Sequence, residues 1–152
     1  VGKITIPIDL VRKPELLSPV ERSLMARHTC NGARLLGCMP PLAVARNIAA
    51  FHHENFDGSG YPDGRAGEDI PIEARIVKVA DVYDALRSAR PYKQAIGHDQ
   101  AIRIMRLGDG RTLPGHFDGG VLEAFLEIQR DIAKVYASMS GPEQDTEGVG
   151  DG

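Results

Sequence analysis

The stretch from Phe51 to Lys93 constrains this chain most, because it joins two helical patterns through a glycine-rich loop and crowds metal-ligating side chains around the junction. It reads FHHENFDGSGYPDGRAGEDIPIEARIVKVADVYDALRSARPYK. His52 and His53 close the first pattern, glycines follow at 58, 60, 64 and 67, and Pro62-Asp63-Gly64 is a turn signal. The second pattern carries Asp81 and Asp84 and stops at Arg90-Pro91, since a residue before proline is pushed out of the helical region. Imidazole nitrogen beside carboxylate oxygen is the donor mixture of a zinc, iron or manganese site.

The remaining segments repeat at helical spacing and predict an all-α fold. Ile4, Ile6 and Ile8 alternate weakly, but Pro7 argues against a central strand and predicts an extended lead-in over Val1 to Asp9. Ser18 and Glu21 have capping-box spacing with Pro19 at the first helical position, predicting a helix to about Thr29 with His28 on its apolar stripe. Asn31-Gly32 reads as an interruption before a short helix from Ala33 to Cys38. After Pro40-Pro41, Leu42 to His53 is predicted helical, with His52 continuing the face of Leu42, Ala45, Ile48 and Ala49.

Pro71 opens the longest predicted helix, to about Ser88, with Ile72, Ile76, Val79, Ala80 and Tyr83 as its stripe. Asp99 to Leu107 is a shorter helix, and Asp118 caps a last one from Gly119 to Met139. One domain over 1–139 is expected, with no internal repeat. The tail over 140–152, dominated by glycine, acidic and polar residues, is expected to be disordered because it has little to bury.

Composition narrows the partners. At 152 residues, 42% hydrophobic and 26% charged, the chain is an ordinary globular domain with enough length for one core. A net charge of -3 argues against a nucleic-acid polymer, so an anionic substrate would depend on local positive charge. Cys30 and Cys38 match neither a ligand pair nor a disulfide framework, which points to reduced thiols in a cytoplasm. No apolar run approaches the roughly 20 residues of a membrane helix, and the opening residues do not read as a signal peptide.

Neighbouring residues on a helix diverge by about 100°, so His52 and His53 would not converge on one ion as an i,i+4 pair does. Adjacent histidines suit ions on either side of a shared cluster, which favours two or more metals. Asp81, mid-helix beside Ala80 and Val82, needs a strong partner if buried. Asp84, on nearly the same face, is a further acceptor or a substrate contact. Each piece alone has a plainer reading: His28 as a hydrogen-bonded core histidine, Asp81 as a surface acid paired with Lys78, Arg90 and Lys93 as solvated charges near a helix C-terminus. All of these would have to hold at once.

The segments HHENFDGSGYPDG and IPIEARIVKVADVYDALRSARPYK resemble the signature of the HD-GYP domain, a branch of the HD metal-dependent phosphohydrolases that hydrolyses cyclic di-GMP. VGKITIPIDLVRKPELLSPVERSLMARHTCNGARLL is similar to the family's preceding segment, so the likeness runs from Val1 to about Phe125. It implies that His28, His52, His53 and Asp81 bind two or three divalent metal ions, usually iron or manganese. Lys3 would contact a substrate phosphate and take part in catalysis with His52, His53 and Asp81. Arg90 and Lys93 would hold phosphates or ribose, with Asp84 a candidate substrate contact and Tyr61 either stacking on a base or bracing the loop. Gly60, Tyr61 and Pro62 form the GYP loop, which in the family also docks GGDEF-domain proteins.

The family segment begins His-Asp-x-Gly-Lys, and this chain opens at its third residue, Val1-Gly2-Lys3. The resemblance therefore implies a fragment cut within the motif, weak in metal binding and hydrolysis as it stands, with an apolar face left partly open. For the intact domain it implies metal-assisted hydrolysis of cyclic di-GMP to pGpG, with the further step to GMP left open. The alternatives are an HD phosphohydrolase of another nucleotide, or a non-catalytic module that binds cyclic di-GMP or docks a GGDEF partner. Oligomeric state is not readable from these residues.

Overall fold

A computed structural model describes residues 1–89 and 94–140. Arg90 and Lys93, and the tail beyond residue 140, lie outside the described residues. The described chain is all-α: helices α1 (Ile8–Val11), α2 (Pro19–Leu36), α3 (Ala43–Phe51), α4 (Ile72–Arg87), α5 (His98–Leu107), α6 (Gly119–Glu127) and α7 (Gln129–Ser140), with four short 3-10 turns between them. Its β-structure, among the described residues, is an isolated bridge between Asp57 and Ala66. No described helix is long and apolar enough to cross a membrane.

The N-terminal segment is not the extended lead-in that its alternation suggests. Gly2–Thr5 forms a 3-10 turn closed by the Thr5 hydroxyl, which donates to the Gly2 carbonyl at 2.8 Å, and α1 follows Pro7. The Ser18–Glu21 capping box starts α2 as expected. Glu21 also accepts from Lys13 Nζ at 2.7 Å, and with the Ser18 backbone and hydroxyl this pulls its carboxyl down to about 2.

Asn31-Gly32 does not interrupt α2, which runs unbroken to Leu36. A mid-helix glycine costs about 1 kcal/mol relative to alanine, and the packing explains its presence. A Cβ on Gly32 would stand 3.1 Å from the Gly2 nitrogen, and one on Gly2 would sit 1.8 Å from the His28 carbonyl oxygen. Asn31 Nδ2 donates to the Thr5 hydroxyl at 2.8 Å. The apparent breaker is a notch that seats the N-terminal turn against α2, beside His28.

Helix α3 is shorter than its pattern. Pro40–Leu42 is a 3-10 turn, α3 spans Ala43–Phe51, and His52 and His53 fall in the turn that follows. Helix α4 lies close to its expected bounds and is the central strut. Its Val79, Tyr83 and Leu86 meet Ala101, Ile102 and Met105 of α5, together with Phe117 and Leu122, to form the buried core. The expected α4 stripe is only half right: Val79 and Tyr83 are buried, whereas Ile72 and Ile76 are 48% and 52% exposed and Ala80 is exposed. Ile76 and Ala80 instead line an apolar groove of about 670 Å³ shared with α6 and α7.

The predicted final helix is two. Ile128 leaves helical geometry at φ -101 and ψ 9, and the Gln129 side-chain amide donates to the Leu126 carbonyl at 2.9 Å. Asp118 caps α6 through Gly120 N and Val121 N and also accepts from Arg75 Nη1 at 2.6 Å. Burial alone would raise Asp118, but the Arg75 guanidinium and the two N–H groups outweigh it and hold its carboxyl below the ordinary range.

Both side chains of that pair are about 15% exposed, and Arg75 Nε has no acceptor among the described residues. Replacing Asp118 with alanine strands a buried guanidinium and uncaps α6. The expected loss is about 3–5 kcal/mol, read as a lowered urea midpoint at neutral pH, with Asp118→Asn losing less because it keeps a capping oxygen.

Candidate metal centre

His28 lies on α2, whereas His52 and His53 lie in the turn that ends α3, and the α2–α3 packing brings all three imidazoles together. One ligand nitrogen from each lies within 4.8 Å of the other two. Ring centroids are 4.1 Å apart for His52 and His53, 5.0 Å for His28 and His53, and 5.4 Å for His28 and His52. The divergence expected of neighbouring helical residues is overcome because α3 stops at Phe51.

Hydrogen bonding fixes which nitrogens are free. His28 Nδ1 is 2.6 Å from the Met25 carbonyl and His52 Nδ1 is 2.9 Å from the Ile48 carbonyl. A carbonyl only accepts, so both Nδ1 atoms carry the proton and, in a neutral ring, both Nε2 atoms present bare lone pairs. Those two Nε2 atoms face each other at 3.5 Å. Two lone pairs cannot satisfy each other, and protonating one is opposed by the surroundings. Burial is the first cause lowering His28 and His52, and burial with the neighbouring imidazoles pushes His53 down to about 2. An electrophile shared between the rings relieves the conflict, so the donor set fits a first-row divalent metal ion.

The loop after His53 folds back over it. Tyr61 N donates to the His53 carbonyl at 3.3 Å, and the Tyr61 ring stacks on the His53 ring at 4.8 Å and 27°. Burial, then the charge of Asp81, raises the Tyr61 hydroxyl to about 12. The Tyr61-Pro62 bond is cis. Gly60 packs so closely that a Cβ there would lie 2.2 Å from Asn55 N.

Asp81 is half-buried on α4 and outside the tight histidine group, yet its charge raises both His28 and His52. Lys3, exposed on the N-terminal 3-10 turn, is near enough for its charge to lower His28 and His53. Asp84 stands apart: it is exposed, takes the Ser88 hydroxyl at 3.4 Å and walls the apolar groove.

Two residues at this site went unremarked in the sequence as contributors to it. Lys78, lowered by burial and held up by Asp81, Asp57 and Glu54, lies on the α4 side of the cluster. Glu54 is buried directly after the histidine pair. The only sequence signal was its place, a carboxylate directly after the histidine pair and ahead of the glycine loop.

The model of the HD domain family matches residues 1–119. A cyclic di-GMP phosphodiesterase of Vibrio cholerae is 43% identical over 144 residues, covering 90% of this chain and 28% of that protein. The cyclic di-GMP phosphodiesterase response regulator RpfG of Xanthomonas campestris is 43% identical over 141 residues, covering 91% and 36%. A 3'3'-cGAMP-specific phosphodiesterase 2 of Vibrio cholerae is 38% identical over 141 residues, covering 91% and 26%. The chain thus spans roughly a quarter to a third of the length of these relatives.

The histidine cluster has a consequence in acid. Above pH 6.5 neither folded nor unfolded imidazoles hold the second proton, so the cluster costs nothing. Below it the unfolded chain takes up protons that the native cluster refuses, and stability falls as the pH drops toward the lowered folded values, about 2 for His53. Between pH 6.5 and 5, where ordinary carboxylates stay ionised, the metal-free chain should lose at most about 1.4 kcal/mol per pH unit per excluded proton. Urea titrations across that window should show the slope, and His53→Gln should flatten it.

Proposed function

The chain belongs to the HD domain family, in its HD-GYP branch, and from that premise we propose that it supplies the catalytic part of a metal-dependent phosphodiesterase opening cyclic di-GMP to pGpG and then GMP. The observation that carries this reading is the set of three imidazoles with one ring nitrogen each within 4.8 Å of the other two, two of them facing at 3.5 Å with their Nδ1 protons held by carbonyls. His28, His52 and His53 would hold two or three divalent ions, iron or manganese, with Asp81 adding an anionic donor from α4. When bound, such ions supply Lewis acidity, acidifying a water and drawing charge from the phosphodiester.

The chain's own residues do the rest. The carbonyls of Met25 and Ile48 fix the rings of His28 and His52 with Nε2 facing inward. Tyr61 covers one face of His53 and keeps its phenolic proton at neutral pH, so it serves as a hydrogen-bond donor. Lys3 attracts a phosphate at the open edge, and Arg90 and Lys93 hold the other phosphate or ribose. Asp84 is retained as a more distant substrate contact. The GYP loop doubles as a docking surface for GGDEF-domain proteins, and the protein works in the cytoplasm.

Relatives that cleave 3'3'-cGAMP favour a second substrate, which differs from cyclic di-GMP in one purine while presenting the same phosphodiester. The phosphate chemistry is shared, so the discrimination lies in the base contacts.

The decisive assay joins a His-Asp doublet ahead of Val1, loads the chain anaerobically with iron or manganese, and follows both cyclic dinucleotides by chromatography. Cyclic di-GMP should yield pGpG, and His52→Ala should lower turnover at least about 100-fold, the loss that even an outer partner of a metal ligand can produce. A metal-loaded chain that binds cyclic di-GMP yet never cleaves it would establish the non-catalytic module instead.

A further inference from the structure

Glu54 is 1% exposed, and each of its oxygens is taken by a loop N–H: Oε1 by Asp63 N at 2.7 Å and Oε2 by Arg65 N at 3.1 Å. A buried carboxylate is costly unless such bonds are made, and these two tie the far side of the glycine loop to the residue after His53. The near side is held by contact, since a Cβ on Gly60 would stand 2.5 Å from Glu54 Cα. A third tie runs parallel: the Arg65 guanidinium lies 3.9 Å over the Phe51 ring and donates to the Asp69 carbonyl. Between these anchors sits Tyr61, stacked on His53.

We propose that Glu54 is a positioning residue, a latch whose buried carboxylate closes the loop of residues 60–65 over the histidine cluster and so fixes the Tyr61 ring against His53. Its consequence for turnover rests on the phosphodiesterase reading above, whereas the latch itself does not. Both donors are backbone groups, so the device is indifferent to the side chains at 63 and 65. It asks only for a carboxylate at 54 and no side chain at 60. The loop over the cluster is therefore held from the histidine turn itself, and ring and loop move as one unit.

Glu54→Gln is the sharpest probe, because it keeps the shape but turns one acceptor into a donor facing a buried N–H. In the unsubstituted chain the Asp63 and Arg65 amides should exchange with solvent at least about 10-fold more slowly than in a free peptide. In Glu54→Gln, with the helical circular dichroism intact, that protection should be lost and the His53 ring resonances should shift as Tyr61 swings away. Gly60→Ala, which pushes the loop off from the other side with Glu54 intact, should move the same His53 signals.

In the metal-loaded chain with the doublet restored, kcat for cyclic di-GMP should fall at least about 10-fold in both variants, with KM changing less. Free-peptide exchange at Asp63 and Arg65 in the unsubstituted chain would overturn the latch, whatever the variants do. So would folded variants whose His53 signals stay in place. An unsubstituted chain that shows the protection but never turns over cyclic di-GMP would sink the phosphodiesterase reading and leave the latch standing.

Discussion

Two imidazole lone pairs that face each other across 3.5 Å, in a place where burial disfavours a further proton, set the terms for the rest of this molecule. The conflict is built by backbone carbonyls. Met25 on α2 and Ile48 on α3 each claim an Nδ1 proton, and the packing of α2 on α3 then aims the remaining lone pairs at one another. A fold selected for stability alone would turn one ring over. Rings held in this arrangement suit a cation between them, and the helix pair is the frame that keeps them there.

Close backbone approach makes that frame possible at two places. Gly2 and Gly32 let the N-terminal turn lie directly on α2 one turn from His28, which brings the Lys3 charge within reach of the cluster. Gly60 lets the loop lie directly on the backbone of Glu54 and Asn55, which sets Tyr61 over His53. In both cases a missing Cβ converts a loop into a fixed wall of the site.

Much of this was legible in the sequence, and the failures have common causes. Apart from α1, helix existence followed from periodicity, and the caps at Ser18 and Asp118 followed from local chemistry. The break assigned to Asn31-Gly32 failed because propensity cannot see the turn that docks there, which repays the mid-helix glycine with packing. The burial of Ile76 and Ala80 failed for a related reason: a stripe gives the apolar face of α4 but not which half of it α5 and α6 cover. The gathering of His28, His52 and His53 was anticipated from the resemblance, but their approach depended on where α3 ends, and helix ends are the least readable feature of a pattern. Glu54 escaped notice because its partners are backbone amides, which carry no residue signature.

Charge placement around the cluster follows from competing needs. A cation held by three neutral imidazoles wants nearby anions, whereas a phosphodiester substrate wants cations. The chain meets both by separating them. Asp81 on α4 raises His28 and His52 and stands on the ligand side. Lys3 lies at the exposed edge, where its charge lowers His28 and His53. Lys78 is retained despite burial because Asp81, Asp57 and Glu54 surround it, so it offsets carboxylate charge that would otherwise repel an anionic ligand. In a chain with a net charge of -3, attraction of the phosphodiester substrate proposed above would depend on the arrangement of a few side chains rather than on the overall field.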